Sequence, residues 1–132
     1  MSLERVNPPE LARPSGFSHA VVAGAGRTVY LAGQTALDAD GHIVGADVVA
    51  QFRQALGNLL TALRASGGRA DQLATLTIYL TDVEDYKARG KEIGKVWREL
   101  AGESYPAMAA IGIARLWDIE ALVEVQGTAV LD

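Results

Sequence analysis

The sequence predicts an α+β domain in which two helices cover one face of a mixed β-sheet. Two stretches carry apolar residues at helical spacing, and the others show the alternation or the short apolar runs that are typical of strands. In chain order they give β-β-α-β-α-β-β. Because two helices cover only one face of such a sheet, its other face is left for something else to cover.

The first helix is predicted to begin after Asp47, a residue type that caps helix N-termini well. Its buried face is formed by apolar residues at helical spacing, which are Phe52, Ala55, Leu56, Leu59, Leu60 and Leu63. The opposite side is expected to be polar and to include Gln51. Gly67 and Gly68 provide the stop signal.

The second helix is predicted to start at a capping-box pattern over residues 81–84. Its buried stripe consists of Tyr86, Ile93, Trp97 and Leu100. Gly90 and Gly94 each cost a helix about 1 kcal/mol relative to alanine. Since they are four residues apart, they share a face, and close packing against a neighbouring element is expected to compensate.

The strands at 19–24 and 28–34 are separated by three residues, a spacing that suits a β-hairpin. Before them, Pro8, Pro9 and Pro14 favour an extended arm. Gly33 stands at the end of an apolar run, where glycine permits either a close backbone approach or a β-bulge.

Residues 105–130 are predicted to form a second hairpin, and it carries the most unusual chemistry of the chain. Two apolar runs flank a loop that contains Trp117 and Asp118. Side-chain alternation places Glu124 and Gln126 on one face of the second strand. A carboxylate in mid-strand has two explanations, a solvated face or a ligand cleft.

The sheet face that the helices leave bare is predicted to be too apolar for open solvent. Its members are small or weakly polar residues, namely Thr75, Thr77, Tyr79, Met108, Ala110 and Gly112. We therefore expect another subunit to cover part of it.

Composition narrows the class of protein. The 132 residues suit a single domain, residues 1–132. Twelve Lys and Arg against sixteen Asp and Glu give a net charge of −4, which argues against nucleic-acid binding. There are no cysteines, and His19 and His42 belong to no recognisable metal-ligand cluster, so no metal site is expected.

The sequence contains no apolar run near the roughly 20 residues that a membrane helix needs. The first ten residues include Glu4, Arg5 and two prolines where a signal peptide would need an apolar core. We therefore expect a cytoplasmic protein that does not bind membranes.

Four stretches together resemble one known family. They are GFSHAVVAG, VYLAGQTALDADGHIVG, the helix VAQFRQALGNLLTALRASGG with the following TLTIYLTDVEDY, and YPAM followed by ALVEVQGTAV. In this order and spacing the chain resembles the RidA/YjgF family of reactive-intermediate deaminases, from about Gly16 to Val130. The resemblance implies a chorismate-mutase-like fold and a homotrimer whose ligand sites lie in clefts between subunits.

The resemblance also implies a chemistry. The best-known members hydrolyse enamines and imines to a 2-oxo acid and ammonia without a cofactor. Glu124 aligns with the family's glutamate that is associated with the catalytic water, and Gly94 with an asparagine of the second helix. The expected small-molecule ligand would be surrounded by Phe17, His19, Gly33, Gln34, Met108 and Gln126.

One substitution limits how far this activity carries over. Where relatives have the arginine of a P-A-R-S motif, which grips the substrate carboxylate at two points, this sequence has Met108. Such a loss typically costs a few kcal/mol, so standard 2-imino acid activity is expected to be weak. Arg115 is a poor substitute, because its odd spacing from Met108 points it to the opposite face.

Two functions of different class are consistent with the sequence. One is a cofactor-free hydrolase of an enamine, imine or related metabolite, with Glu124 positioning water. The other is a trimer that binds a small metabolite without catalysis. Ribonuclease or translation-inhibitor activity, which has been attached to the family by name, is the weakest option, given the acidic balance and the lack of a histidine acid-base pair.

Overall fold

A computed structural model describes residues 3–132 and contains two sheets and three α-helices within that range. The strands are β1 (Glu4–Val6), β2 (Ala20–Val22), β3 (Arg27–Gln34), β4 (Leu73–Leu80), β5 (Ala107–Gly112) and β6 (Val123–Leu131). The helices are α1 (Val48–Ala65), α2 (Val83–Ala88) and α3 (Gly90–Ala101), with a 3₁₀ turn at Ala70–Gln72.

The main sheet has the strand order β3-β6-β4-β5 and is mixed. β4 and β5 run parallel, whereas β6 is antiparallel to both β3 and β4. The predicted hairpin over residues 105–130 is therefore wrong, because β4 separates its two strands. The chain passes from β4 through α2 and α3 into β5, and a helical crossover of this kind joins parallel neighbours.

The central place of β6 depends on Gly127. A Cβ at this position would lie 2.6 Å from the backbone oxygen of Thr75, so only glycine lets β4 approach this closely. The β4–β6 register shifts at the same point, between Leu73 and Thr75.

The predicted hairpin between residues 19–24 and 28–34 is also wrong. β2 pairs with β1 in a separate two-stranded sheet, and β3 pairs with β6. A Cβ on Gly26 would overlap the carbonyl oxygen of Leu131, so glycine at this position lets the start of β3 lie against the end of β6. The paired strand β1 precedes the predicted arm, and residues 7–14 form turns and irregular structure.

Helix α1 confirms the predicted core face. Phe52, Leu56, Leu59 and Leu63 are almost completely buried against the sheet. Asp47 caps the helix by accepting a hydrogen bond of 2.8 Å from the Ala50 N–H.

Gln51, predicted on the polar side of α1, is instead buried with 3% exposure. Its Nε2 donates to the carbonyl oxygens of Gly45 and Glu120, and its Oε1 accepts from the Leu122 N–H at 2.8 Å. The side chain therefore joins α1 to the segment that leads into β6.

We expect Gln51→Leu to lower the free energy of unfolding by about 3 kcal/mol, since three hydrogen bonds are lost and buried backbone groups stay unpaired. Urea unfolding followed by circular dichroism measures this change. The exposed Arg64→Leu on the same helix is the control and should change it by less than about 0.5 kcal/mol. Equal stability of the two variants would contradict the structural role.

The predicted second helix is interrupted at Arg89. Its N-cap is Asp82, which accepts from the Asp85 N–H at 3.0 Å, and the predicted capping box at Thr81 is therefore one residue off. The Arg89 guanidinium contacts Glu92 at 2.9 Å and Asp47 at 3.0 Å, so it joins the α2–α3 junction to the start of α1.

These contacts predict a dependence of stability on pH. The Arg89 hydrogen bond lowers the pKa of Glu92 below 4.5, and the Ala50 N–H, then Arg89, lower that of Asp47 below 3.8. Groups with a depressed folded pKa stabilise above their unfolded pKa and lose this contribution as the pH falls through the folded pKa. The Tm difference between wild type and Arg89→Met should thus be present at pH 6 and shrink below pH 3. If calorimetry gave the same Tm difference between wild type and Arg89→Met at every pH, this prediction would be contradicted.

The sheet face without helices is open in the single chain. Tyr30 on β3 is 83% exposed and Ile111 on β5 is 42% exposed on this face, beside Thr75, Thr77 and Tyr79. Met108, Ala110 and Gly112 were expected on this open face, and that prediction is wrong. They pair with Leu76, Ile78 and Leu80, whose side chains lie on the helix face. Their place on the open face is taken by Ala107, Ala109 and Ile111, so apolar side chains still lie there among the threonines and tyrosines.

Candidate functional site

Glu124 and Gly33 meet where strands β3 and β6 lose their regular register. The pairing shifts between Leu31 and Gln34, which creates an irregularity around Gly33. A Cβ on Gly33 would overlap Glu124 Oε2 and lie 2.9 Å from its carboxyl carbon. The absent side chain of Gly33 is therefore what lets the Glu124 carboxylate rest against the β3 backbone.

The Glu124 carboxylate is half-buried and has no hydrogen bond or ion pair within residues 3–132. Its neighbour on β4 across the open face is Tyr79, whose hydroxyl donates to Gln126 Oε1 at 3.2 Å. Glu124 is thus free to bind water or a ligand on this face. Gln34 pairs with Val125 beside it.

Phe17 and His19 lie beside the start of β5. Their rings form an edge-to-face pair with centroids 5.1 Å apart. Between them, the Ser18 N–H donates to Pro106 O at 2.9 Å and the Ser18 hydroxyl donates to Tyr105 O at 2.7 Å. These bonds hold the segment against the edge of the sheet.

Met108 lies on the opposite face of the sheet from Glu124. It pairs with Leu76, whereas Glu124 pairs with Tyr79, three positions further along β4. The expectation that Met108 and Glu124 share a side is therefore wrong for one chain. The roles of the predicted site residues stay predictions, and the structure divides them between two faces.

Met108 lines a cleft of about 630 Å³ between α3, the end of α2 and the start of β5. The residues around it are Ser15, Gly16, Phe52, Tyr86, Gly90, Lys91, Ile93, Gly94, Trp97, Arg98, Tyr105 and Met108. Trp97 and Tyr105 stack with ring centroids 5.9 Å apart. The cleft thus combines an aromatic and aliphatic wall with two cations, Lys91 and Arg98.

The cleft supplies no general base of its own. Its described lining contains no carboxylate and no histidine. Burial raises the pKa of Tyr86 to about 12, so this phenol stays protonated near neutral pH. A hydrolytic reaction in the cleft would need a base from elsewhere.

Several cleft residues were not predicted as functional. Gly90 and Gly94 were expected to pack against a neighbour, yet a Cβ at Gly90 would meet nothing within 4 Å and one at Gly94 would meet only the Arg98 guanidinium. The sequence signal that could have indicated this cleft is a pair of glycines one helical turn apart, followed by an arginine one turn later. Arg115 is engaged elsewhere, since it donates to the carbonyl oxygens of Leu116 and Trp117.

The described part of the chain has neither a cluster of metal-ligating side chains nor a helix suited to a membrane. No group of three or more His, Asp or Glu residues within 3–132 is arranged to hold a metal ion. In the same range, no helix has the length and apolar character to cross a bilayer.

Comparison with known proteins identifies the family. The family model described as Endoribonuclease L-PSP matches residues 9–131. The chain belongs to this family, the RidA/YjgF family. A RutC family protein of Pyrococcus horikoshii is 34% identical over 119 residues, with 89% of each chain covered.

Two further relatives connect the family to a fold and to an activity. One is the crystal structure of a protein of unknown function of the conserved Rid family from Yersinia pestis. It is 34% identical to this chain and superimposes with a TM-score of 0.88, and the match covers 99% of this chain and 100% of that one. The 2-iminobutanoate/2-iminopropanoate deaminase of Capra hircus is 34% identical over 101 residues, covering 76% of this chain and 69% of that protein. The predicted family and the α+β fold with a mixed sheet are thus confirmed.

Proposed function

We propose that this member of the RidA/YjgF family is a cofactor-free hydrolase of an enamine or imine, with Glu124 as the base. The observation that carries the proposal is the unpartnered Glu124 carboxylate, which rests against the backbone of Gly33. Its relatives named 2-iminobutanoate/2-iminopropanoate deaminases support the reaction class. The net charge of −4 argues against the ribonuclease activity in the family name.

In the proposed reaction Glu124 accepts a proton from water while the water oxygen bonds to the imine carbon. The C=N electron pair moves to nitrogen, which takes up a proton, and a carbinolamine results. The amino nitrogen of the carbinolamine then takes up a proton, the C–N bond breaks to release ammonia, and the hydroxyl group gives up its proton as the C=O bond forms. Imine plus water thus gives a carbonyl compound plus ammonia. An enamine enters the same sequence after protonation at carbon.

We further propose that the site is shared between copies of the chain in a homotrimer. Glu124 lies on the open face and the cleft on the helix face, and the cleft has no base of its own. A substrate in the cleft of one subunit therefore needs Glu124 from a neighbouring subunit. The exposed side chains of Tyr30 and Ile111 on the open face support this assembly, because contiguous exposed apolar surface often marks a protein interface.

Steady-state ammonia release tests the reaction. With a 2-imino acid larger than the standard substrates, 2-imino-4-methylpentanoate, generated in situ, wild type should accelerate ammonia release above the spontaneous rate. Glu124→Gln keeps the shape of the side chain and should lose about 100-fold or more of this acceleration. If wild type and Glu124→Gln release ammonia at the same rate, Glu124 is not the base.

The methionine at position 108 leads us to expect that some substrates are hydrolysed slowly. Since a two-point arginine contact is absent, 2-iminobutyrate should be hydrolysed slowly, and Met108→Arg should raise kcat/KM by about 10-fold or more. Met108→Leu is the matched control and should leave the rate nearly unchanged. Wild-type rates equal to those of Met108→Arg would show that the missing arginine on β5 is not what limits hydrolysis of 2-iminobutyrate.

A further inference from the structure

The wall that α3 presents to the cleft is unusually open. Gly90 and Gly94 both line it, and glycine destabilises a helix interior relative to alanine. No part of the described chain fills the space that side chains would occupy at Gly90. The two glycines thus form a groove with room for a bound molecule.

Arg98 closes one end of this groove. Its Nη1 lies 3.3 Å from the position that a Cβ on Gly94 would take, so the guanidinium folds back by one helical turn over the glycine. Within residues 3–132 the Arg98 side chain makes no hydrogen bond or ion pair. By contrast, Arg89 on the same helical segment is held by Asp47 and Glu92.

A second, independent donor adjoins the groove. Trp97 lines the cleft and is 4% exposed, and its Nε1–H has no acceptor among the described residues. A buried indole N–H usually finds a partner. Because the Trp97 side chain lines the cleft, its Nε1–H signal can report on a molecule bound there.

We propose that Arg98 anchors the carboxylate of the substrate, in place of the strand arginine that Met108 replaces. The apolar wall formed by Met108, Tyr105 and Phe52 then receives the substrate side chain. The substrate class is a 2-imino acid with a branched or aromatic side chain, larger than the one- and two-carbon side chains of 2-iminopropanoate and 2-iminobutanoate. This proposal rests on the proposed function.

Binding of a stable product analogue tests the anchor separately from catalysis. Calorimetric titration with 4-methyl-2-oxopentanoate should show about 10- to 100-fold weaker binding to Arg98→Met than to wild type. Lys95→Met removes the same charge from an exposed position of α3 that does not line the cleft, and it should bind like wild type. The neutral carboxamide of the same acid should bind equally to Arg98→Met and wild type.

Magnetic resonance of the indole N–H groups provides a second readout. The chain has two tryptophans, so Trp117→Phe leaves the Trp97 Nε1–H signal alone. This signal should shift when 4-methyl-2-oxopentanoate is added and shift less with 2-oxobutanoate at the same concentration.

Binding by Arg98→Met within twofold of wild type, or an equal loss for the carboxamide, would overturn the anchor role. Failure of the proposed function has a different signature. If the oxo acid binds through Arg98 but no imine is hydrolysed, the carboxylate-binding role of Arg98 is supported and the hydrolase activity is contradicted. If wild type and Arg98→Met hydrolyse imines equally well, the hydrolase activity is supported and the carboxylate-binding role of Arg98 is contradicted.

Discussion

Gly33→Ala is expected to reduce ammonia release about 100-fold, as strongly as Glu124→Gln does. A Cβ on Gly33 would overlap Glu124 Oε2, so the carboxylate has to leave its place against the β3 backbone. The far end of a glutamate side chain moves at low cost, and the Tm should therefore fall only slightly. Turnover kinetics and thermal unfolding on the same samples separate the two effects.

The double variant sharpens this prediction. Since both substitutions remove the same carboxylate from the same place, Gly33→Ala with Glu124→Gln should be no slower than either single variant. Gly57→Ala, on α1 in open space, is the control and should leave turnover unchanged. Multiplicative losses in the double variant would mean that Gly33 acts independently of Glu124.

If the chain forms the proposed homotrimer, Thr77→Arg is expected to convert it to a monomer and to abolish turnover. Thr77 lies at the centre of the open face, paired with Gln126 on one side and Ala109 on the other. An arginine there would have to be buried without a partner between copies of the chain, which typically costs several kcal/mol. Light scattering should give three times the 13.9 kDa chain mass for wild type and that mass itself for the variant.

Thr61→Arg is the matched control, because Thr61 is exposed on the outer side of α1. It should stay trimeric and active. A wild-type monomer at micromolar concentration, or a fully active Thr77→Arg monomer, would remove the basis for a site shared between subunits.

The parts of the fold that could be predicted are those with strong local signals. Helix α1 has a cap at Asp47, a continuous apolar face and a glycine stop, and each appears as expected. β4 likewise has two different faces, with Leu76 and Ile78 buried and Thr75 exposed. The resemblance to RidA/YjgF proteins added the family and the fold class.

The strand pairing could not be predicted from local pattern. Adjacent apolar runs suggested hairpins, yet β6 pairs between β3 and β4, and β2 pairs with β1. These pairings depend on close approaches by Gly26 and Gly127 that are defined only in three dimensions. Gln51 was misplaced for a similar reason, since its partners, Gly45, Glu120 and Leu122, come from distant segments.

The candidate site was predicted in part. Glu124 and Gly33 were selected from the sequence and do lie together. The placement of Met108 was wrong because the face of β5 depends on its parallel register with β4. Arg98 and Trp97 looked like ordinary helix residues, and their relation to Met108 becomes visible only when α3 packs over the start of β5.

Complementation between two inactive variants tests the shared site most directly. Glu124→Gln chains keep the cleft, and Gly94→Leu chains keep Glu124 but fill the groove. Carrying different tags and co-expressed, they can be purified as mixed trimers through both tags. Any such cyclic trimer has one interface that joins an intact Glu124 to an intact cleft, so mixed trimers should show about one third of the wild-type rate. Mixed trimers as inactive as their parents would contradict it.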